Sequence, residues 1–163
     1  MSSSWRRTVL STLCLLGILL FGSLEAPAPT VKEWDLVGKI LGKQGDLLPD
    51  GVYKVTFPRN DLRITMRGVQ VPVGMGLASW AAFLRLPNGN AMVMGDTIML
   101  VAEVNPVIDE LRRGGIEVVA LHNHMLGEQP QVMFMHYQGV AEADSLAHTL
   151  RRALDQLGKS KAR

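Results

Sequence analysis

The sequence predicts a single α+β domain, a mostly antiparallel sheet with flanking helices, preceded by an N-terminal apolar signal segment. Three observations predict it. Short runs rich in valine, isoleucine and aromatic residues are separated by glycine, proline and asparagine turns, which is a strand-and-hairpin pattern. Two longer segments instead carry apolar residues at helical spacing. The chain has 163 residues, and about 135 of them follow the N-terminal apolar run, enough for one core but not two.

The elements follow in order. Trp34 to Leu41 places apolar residues at 34, 36, 37, 40 and 41, a helical stripe closed by Gly42. Gly45 to Gly51 reads as a loop. Val52 to Phe57 is a strand, and Pro58 to Asp61 a turn into Leu62 to Met66, which suggests a hairpin. Val69 to Gly76 is irregular because of Pro72 and its glycines. Ser79 to Leu86 and Ala91 to Met94 are strands joined at Pro87-Asn88-Gly89, and Asp96 to Leu100 is a further strand. Glu103 to Arg113 is a helix with Pro106 near its start and Gly114-Gly115 as its stop. Ile116 to His122 and Val132 to Tyr137 are strands. Ala141 to Leu157 is an amphipathic helix, with Ala143, Leu146, Ala147, Leu150, Leu154 and Leu157 on one stripe.

The first thirty residues have a different character. Arg6-Arg7 precedes a sixteen-residue apolar run, Val9 to Leu24, and then Ala26-Pro-Ala-Pro-Thr30. A basic start, an apolar middle and small residues at the end describe an export signal. The predicted organisation is therefore a signal or N-terminal anchor at 1–30, the α+β domain at 31–158 and a basic tail at 159–163. The protein is expected in the periplasm or secreted; alternatively, an uncleaved run 9–24 holds it in the inner membrane. Cys14 is preceded by Leu13, where lipid attachment needs a small residue. Without the signal the chain has no cysteine, so disulfide and thiol chemistry are excluded. The net charge of +2 is too small, and the basic residues too scattered, to imply a nucleic-acid partner, so none is expected.

The chemistry concentrates in one segment. Three of the four histidines fall within fifteen residues: His122, His124 and His136. Positions i and i+2 of a strand share a face, so His122 and His124 project together. A turn through Leu126 to Pro130 would bring the strand at 132–137 back antiparallel and set His136 opposite them. Three imidazoles on one sheet face make a divalent-metal site, with zinc expected, that keeps open positions; this is the catalytic rather than the structural arrangement. Glu128 in the connecting loop is the candidate catalytic carboxylate. As a general base, a further ligand or the carboxylate behind a ligand, it has three readings. Glu103 is a weaker candidate. The bland alternative is that these histidines are hydrogen-bonded structural residues. His148, in the last helix, reads as a solvated residue.

Nine methionines raise Cu(I) binding, since thioethers suit that ion. Met133 and Met135, however, have the opposite parity to His136 and should point to the other face, so core filling is the simpler reading. Gly74-Met-Gly76 and Gly114-Gly115 lack the residues of a phosphate loop, and Ser79 and Ser145 lack a nucleophile-elbow context. Asp46, Asp50, Asp61 and Asp96 are read as turn residues. Arg112-Arg113 and Arg151-Arg152 are read as solvated helix charges.

Three stretches, GVYKVTFPRNDLRITMRGVQVP, GLASWAAF and MGDTIMLVAEVNPVIDELRRGGIEVVALHNHMLGEQPQVMFMHYQGV, resemble the LppY/LpqO family of exported bacterial domains of unknown function. The resemblance runs from Trp34 to Leu157, and implies an exported protein. The histidine pattern is more distantly similar to the zinc site of acetolactate decarboxylase-like proteins. That likeness implies His122, His124 and His136 as ligands. It also implies, as the expected activity, hydrolysis or carbon–carbon lyase chemistry on a small carbonyl compound. The alternative is a non-catalytic periplasmic binding or metal-sequestering module. Neither the substrate nor the oligomeric state is specified.

Overall fold

Alternation along each strand sorts apolar side chains onto two faces of one sheet, and each face carries its own core. A computed structural model describes residues 30–159. Residues 1–29 of the expected signal segment, and all but Lys159 of the expected tail, lie outside them.

The strands are β1 (Asp46–Leu47), β2 (Tyr53–Pro58), β3 (Thr65–Met66), β4 (Val69–Gln70), β5 (Ala78–Arg85), β6 (Ala91–Leu100), β7 (Glu117–Asn123), β8 (Glu128–Gln129) and β9 (Val132–Ala141). The helices are α1 (Asp35–Leu41), α2 (Val104–Arg113) and α3 (Ala143–Leu154), with 3-10 turns at Val31–Trp34, Val73–Met75 and Val101–Glu103. A six-stranded sheet runs β1-β2-β5-β6-β9-β7, and a three-stranded sheet runs β4-β3-β8. Every pairing is antiparallel. The expected α+β class is the one observed.

Odd-numbered positions of β2, β5, β6 and β9 face the helices. Tyr53, Val55, Ala81, Phe83, Val93, Met99, Met135 and Tyr137 pack there with Val37, Leu41, Val107, Leu111, Leu146 and Leu150. Trp34 closes this core, stacked on Tyr53 with ring centroids 5.5 Å apart. Burying an aromatic of this size contributes on the order of 3 kcal/mol. The second core lies on the other face: Ile98, Leu100, Val132 and Phe134 pack under Leu62, Ile64 and Leu77. It covers only the Leu100–Val132 end of the sheet. Beyond it that face is open.

Four expectations need correction. Residues 62–66 do not form a hairpin with β2, which pairs with β5. Leu62 and Ile64 are drawn into the second core instead, so the chain leaves the large sheet after Pro58. The loop at Gly45–Gly51 contains the two-residue β1. Ala91–Met94 and Asp96–Leu100 are one continuous strand, so Asp96 is a mid-strand residue and not a turn residue. Gly95 makes this possible. A Cβ there would strike the Tyr137 hydroxyl and lie 2.6 Å from the Trp80 carbonyl oxygen. Finally, Arg151 is not simply solvated, for it donates to the Leu41 carbonyl at 2.9 Å and ties α3 to α1.

Candidate metal centre

The histidines reach one face because β7 is irregular. Val118 pairs with Tyr137 and so belongs to the helix side. A bulge at Val119 then shifts the alternation, and Ala120 pairs with His136 while His122 pairs with Phe134. An extra residue reverses which parity faces which side. Without it His122 would point at the helices. With it, His122, Phe134 and His136 share the open face.

The amide of His124 donates to the Val132 carbonyl at 3.1 Å, carrying the pairing one step past β7. Met125–Gly127 then turns the chain into β8, which pairs with β3. His122 and His124 both lie nearly parallel to the Phe134 ring, with centroids 6.2 Å and 4.5 Å from it. Phe134 thus forms an apolar floor under both imidazoles.

The structure brings His122 and His136 together: their Nε2 atoms are 3.1 Å apart. His124 stands next to them on Phe134 but does not close the set. Among the described residues no group of three or more His, Cys, Asp or Glu side chains is gathered at coordinating distance. Exposure grades across the site, with His122 exposed, the His136 side chain 43% exposed and that of His124 15%.

Each imidazole has an oxygen facing its Nδ1. His122 Nδ1 lies 2.9 Å from the Asn123 carbonyl, His124 Nδ1 lies 2.9 Å from Glu128 Oε2, and His136 Nδ1 lies 3.7 Å from Asp96 Oδ1. A carbonyl only accepts, so His122 must donate from Nδ1, which leaves a lone pair on Nε2. Glu128 favours the same tautomer in His124. At 3.7 Å Asp96 does not hydrogen-bond His136 Nδ1, so His136 is free to carry its proton on Nε2 and donate it to the His122 Nε2 lone pair across 3.1 Å. The same two nitrogens, both deprotonated, are spaced to share a metal ion. Two nitrogens bound tetrahedrally to zinc, each about 2.05 Å away, lie about 3.3 Å apart.

Glu128 does not look out on the open face. Its side chain is fully shielded, Oε1 accepts from the amides of Met125 and Val132, and Oε2 faces His124. It stands behind His124, turned away from the open face. A family model described as Domain of Unknown Function (DUF1259) matches residues 35–156. The chain belongs to that family. No curated protein and no solved structure matches the chain.

The part of this DUF1259 domain that sequence reasoning missed is Asp96. It is 8% exposed, lies directly across the β6–β9 ladder from His136, and its Oδ1 has no hydrogen-bond partner among the described residues. Burial pushes its carboxyl above the ordinary aspartate range, opposed by His136 and His122 in their charged forms and by a hydrogen bond from the Thr97 backbone. Its even number, matching His136 in an antiparallel neighbour, was the only signal available.

Glu103 takes no part in this cluster. It is fully buried and accepts from both Arg59 guanidinium nitrogens at 3.0 and 3.1 Å, from the Leu100 amide at 2.8 Å and from the Gly158 amide at 2.6 Å. That makes it a structural anchor of the C-terminal end. His148 is exposed on α3, as expected, and Met135 lies in the helix-side core, away from the imidazoles.

Proposed function

We propose that this protein is an exported domain, of the kind its LppY/LpqO resemblance implies, that binds one divalent metal ion through Nε2 of His122, His124 and His136. The single observation that carries this is the approach of His122 Nε2 and His136 Nε2 to 3.1 Å, with Nδ1 of His122 and of His124 each 2.9 Å from an oxygen and that of His136 on the side of Asp96. That second layer of acceptors fixes tautomer and ring orientation in metal-binding histidines generally. Nitrogen donors without thiolate suit zinc. The Asp96 carboxylate, with Oδ1 free of hydrogen bonds among the described residues, supplies negative charge beside the set, which offsets the charge of a bound cation.

Such an ion, when bound, supplies Lewis-acid activation of a carbonyl or a water. The protein would then act as a hydrolase or lyase on a small carbonyl compound. The chain's own part is to orient: Glu128 holds His124, the Asn123 carbonyl holds His122, and Asp96 faces His136. Exposure of His122 and His136 favours a second reading, non-catalytic metal binding or sequestration in the periplasm.

Both cores are built within Trp34–Leu157, so residues 31–163 contain the fold. The test is the zinc content of that chain, made without a histidine tag, by inductively coupled plasma mass spectrometry. About one zinc per chain is expected, falling to near zero in His124→Ala and His136→Ala. Zinc absent after reconstitution, or retained in both variants, overturns the proposal. Turnover of esters or 2-hydroxy-3-oxo acids by the zinc-loaded chain separates the two readings.

A further inference from the structure

The three most exposed large apolar side chains of the described residues sit on three separate segments: the turn after His124, the 3-10 turn before Gly76 and the first residue of β4. They are Leu126, Met75 and Val69, at 86%, 70% and 69% exposure. Their convergence follows from the pairing. Met66 of β3 pairs with Val69 on one side and with Glu128 on the other, which sets the β3–β4 turn beside the Leu126–Gly127 turn. Met75 precedes Gly76, where an added Cβ would come to 4.0 Å from His124 Nε2.

The exposed charge in 62–76 is basic, with Arg67 at the turn; Arg63, also exposed, donates to the Asn60 and Leu62 carbonyls and lies near the Asp61 carboxylate. In the neighbouring 121–131 the single acidic residue is Glu128, and it is buried. Arg67 occupies the tip of the β3–β4 turn, with φ +50. Water is a poor environment for three exposed apolar side chains, and their separation on three segments suits insertion among lipid chains better than packing on a flat protein face. An exposed arginine beside such side chains matches anionic headgroups.

We infer that this end docks the domain on an anionic phospholipid surface, with Leu126, Met75 and Val69 entering the headgroup boundary and Arg67 held at phosphates. Among the described residues no helix is long and apolar enough to cross a membrane. The docking is independent of any membrane contact through residues 9–24, and it does not rest on the metal proposal. His124 would then face the bilayer surface.

The experiment is flotation of the 31–163 chain with vesicles of phosphatidylglycerol and phosphatidylcholine, against vesicles of phosphatidylcholine alone. Binding is expected to the anionic vesicles, weakening as salt is raised. Arg67→Glu should lower the partition coefficient at least about fivefold, the worth of one basic residue near a charged surface. Leu126→Asp combined with Met75→Asp should lower it more than tenfold. Val140→Asp, an exposed position on β9 roughly 26 Å along the strand from Val132, should leave it unchanged. All these positions are exposed, and thermal melts verify folding. No flotation, flotation that survives the Leu126 and Met75 substitutions, or self-association in sedimentation that those substitutions abolish overturns the proposal; the last would make the patch a protein interface.

Discussion

Asp96 and His136 are directly paired across the β6–β9 ladder, and Asp96 Oδ1, buried and without a hydrogen-bond partner, stops 3.7 Å short of His136 Nδ1. A buried carboxylate left in that state costs stability unless a cation compensates it. The cost has a definite pH dependence. Burial raises the carboxyl's folded pKa above its unfolded value. Its charged form is therefore penalised in the folded state at high pH, and the penalty disappears below the unfolded value of about 3.9. Metal-free Asp96→Asn should accordingly melt higher than the wild type at pH 7–8, and the advantage should vanish near pH 3. Zinc affinity should move the other way, falling about 10- to 100-fold. Paired melting curves and a competitive zinc titration decide it; a variant that melts lower at pH 7 contradicts this account.

The Arg59 network gives a second prediction. Arg59 joins Glu103, the Ile98 carbonyl and Asp61, and Glu103 in turn holds the amides of Leu100 and Gly158. Arg59→Met leaves Glu103 charged in the interior, at a cost of about 3–5 kcal/mol. Adding Glu103→Gln should recover part of the loss, since the amide oxygen still accepts from a backbone N–H and carries no charge. Urea unfolding of the single and double variants measures the coupling; simple additivity would show that the two groups do not depend on each other.

Acid should weaken the same corner. The Arg59 guanidinium holds the Asp61 carboxyl below the ordinary aspartate range. A depressed folded pKa contributes stability that is present above the unfolded value and lost as pH falls through the folded one. Asp61 is partly exposed, so the effect is small. In Asp61→Asn the decline in melting temperature between pH 5 and pH 2 should be shallower than in the wild type. Parallel slopes would remove Asp61 from the explanation.

Gly95 is required by its surroundings and not by a turn. A Cβ would collide with the Tyr137 hydroxyl, which donates to the Trp80 carbonyl at 3.1 Å. Gly95→Ala should destabilise by about 1–3 kcal/mol, the usual range for overpacking. Tyr137→Phe in the same chain removes the nearest clashing atom and should restore some of that. If chemical denaturation finds Gly95→Ala as stable as the parent, β6 and β9 can separate more easily than this packing implies.

Several of these features could be read before any coordinates. Apolar alternation located nearly every long strand, and the stripes of α1 and α3 marked their buried faces, because burial and period are local properties. The histidine spacing identified His122 and His136 as companions. What stayed hidden depends on partners distant in the chain. Asp96 looks like a turn residue until His136, forty positions later, is placed beside it. Arg59 resembles any arginine after a proline, although Glu103 draws it into the interior. The bulge at Val119 leaves no mark in composition, and simple alternation would have put His122 on the face of Val118. Residues 62–66 have strand-like apolar content, but the second core takes their side chains and not the ladder of β2.

Glu128 supplies the sharpest test of the site, because its two oxygens do different things. Oε1 accepts from the Val132 amide at 3.0 Å and from Met125, and Oε2 faces His124 Nδ1 at 2.9 Å. In Glu128→Gln the amide oxygen can keep the backbone bonds, so the loop should hold its shape and the melting temperature should change little. The amide NH2, however, then faces His124 Nδ1 as a donor. His124 must answer with a lone pair on Nδ1, which moves its proton to Nε2 and removes the lone pair needed by a metal ion. Zinc binding should weaken by about 10- to 100-fold. Glu128→Ala should lose both zinc and stability, since the Val132 amide is then buried without a partner, a loss of about 1–3 kcal/mol. Zinc affinity unchanged in Glu128→Gln, with the fold intact, would mean that His124 is not a ligand.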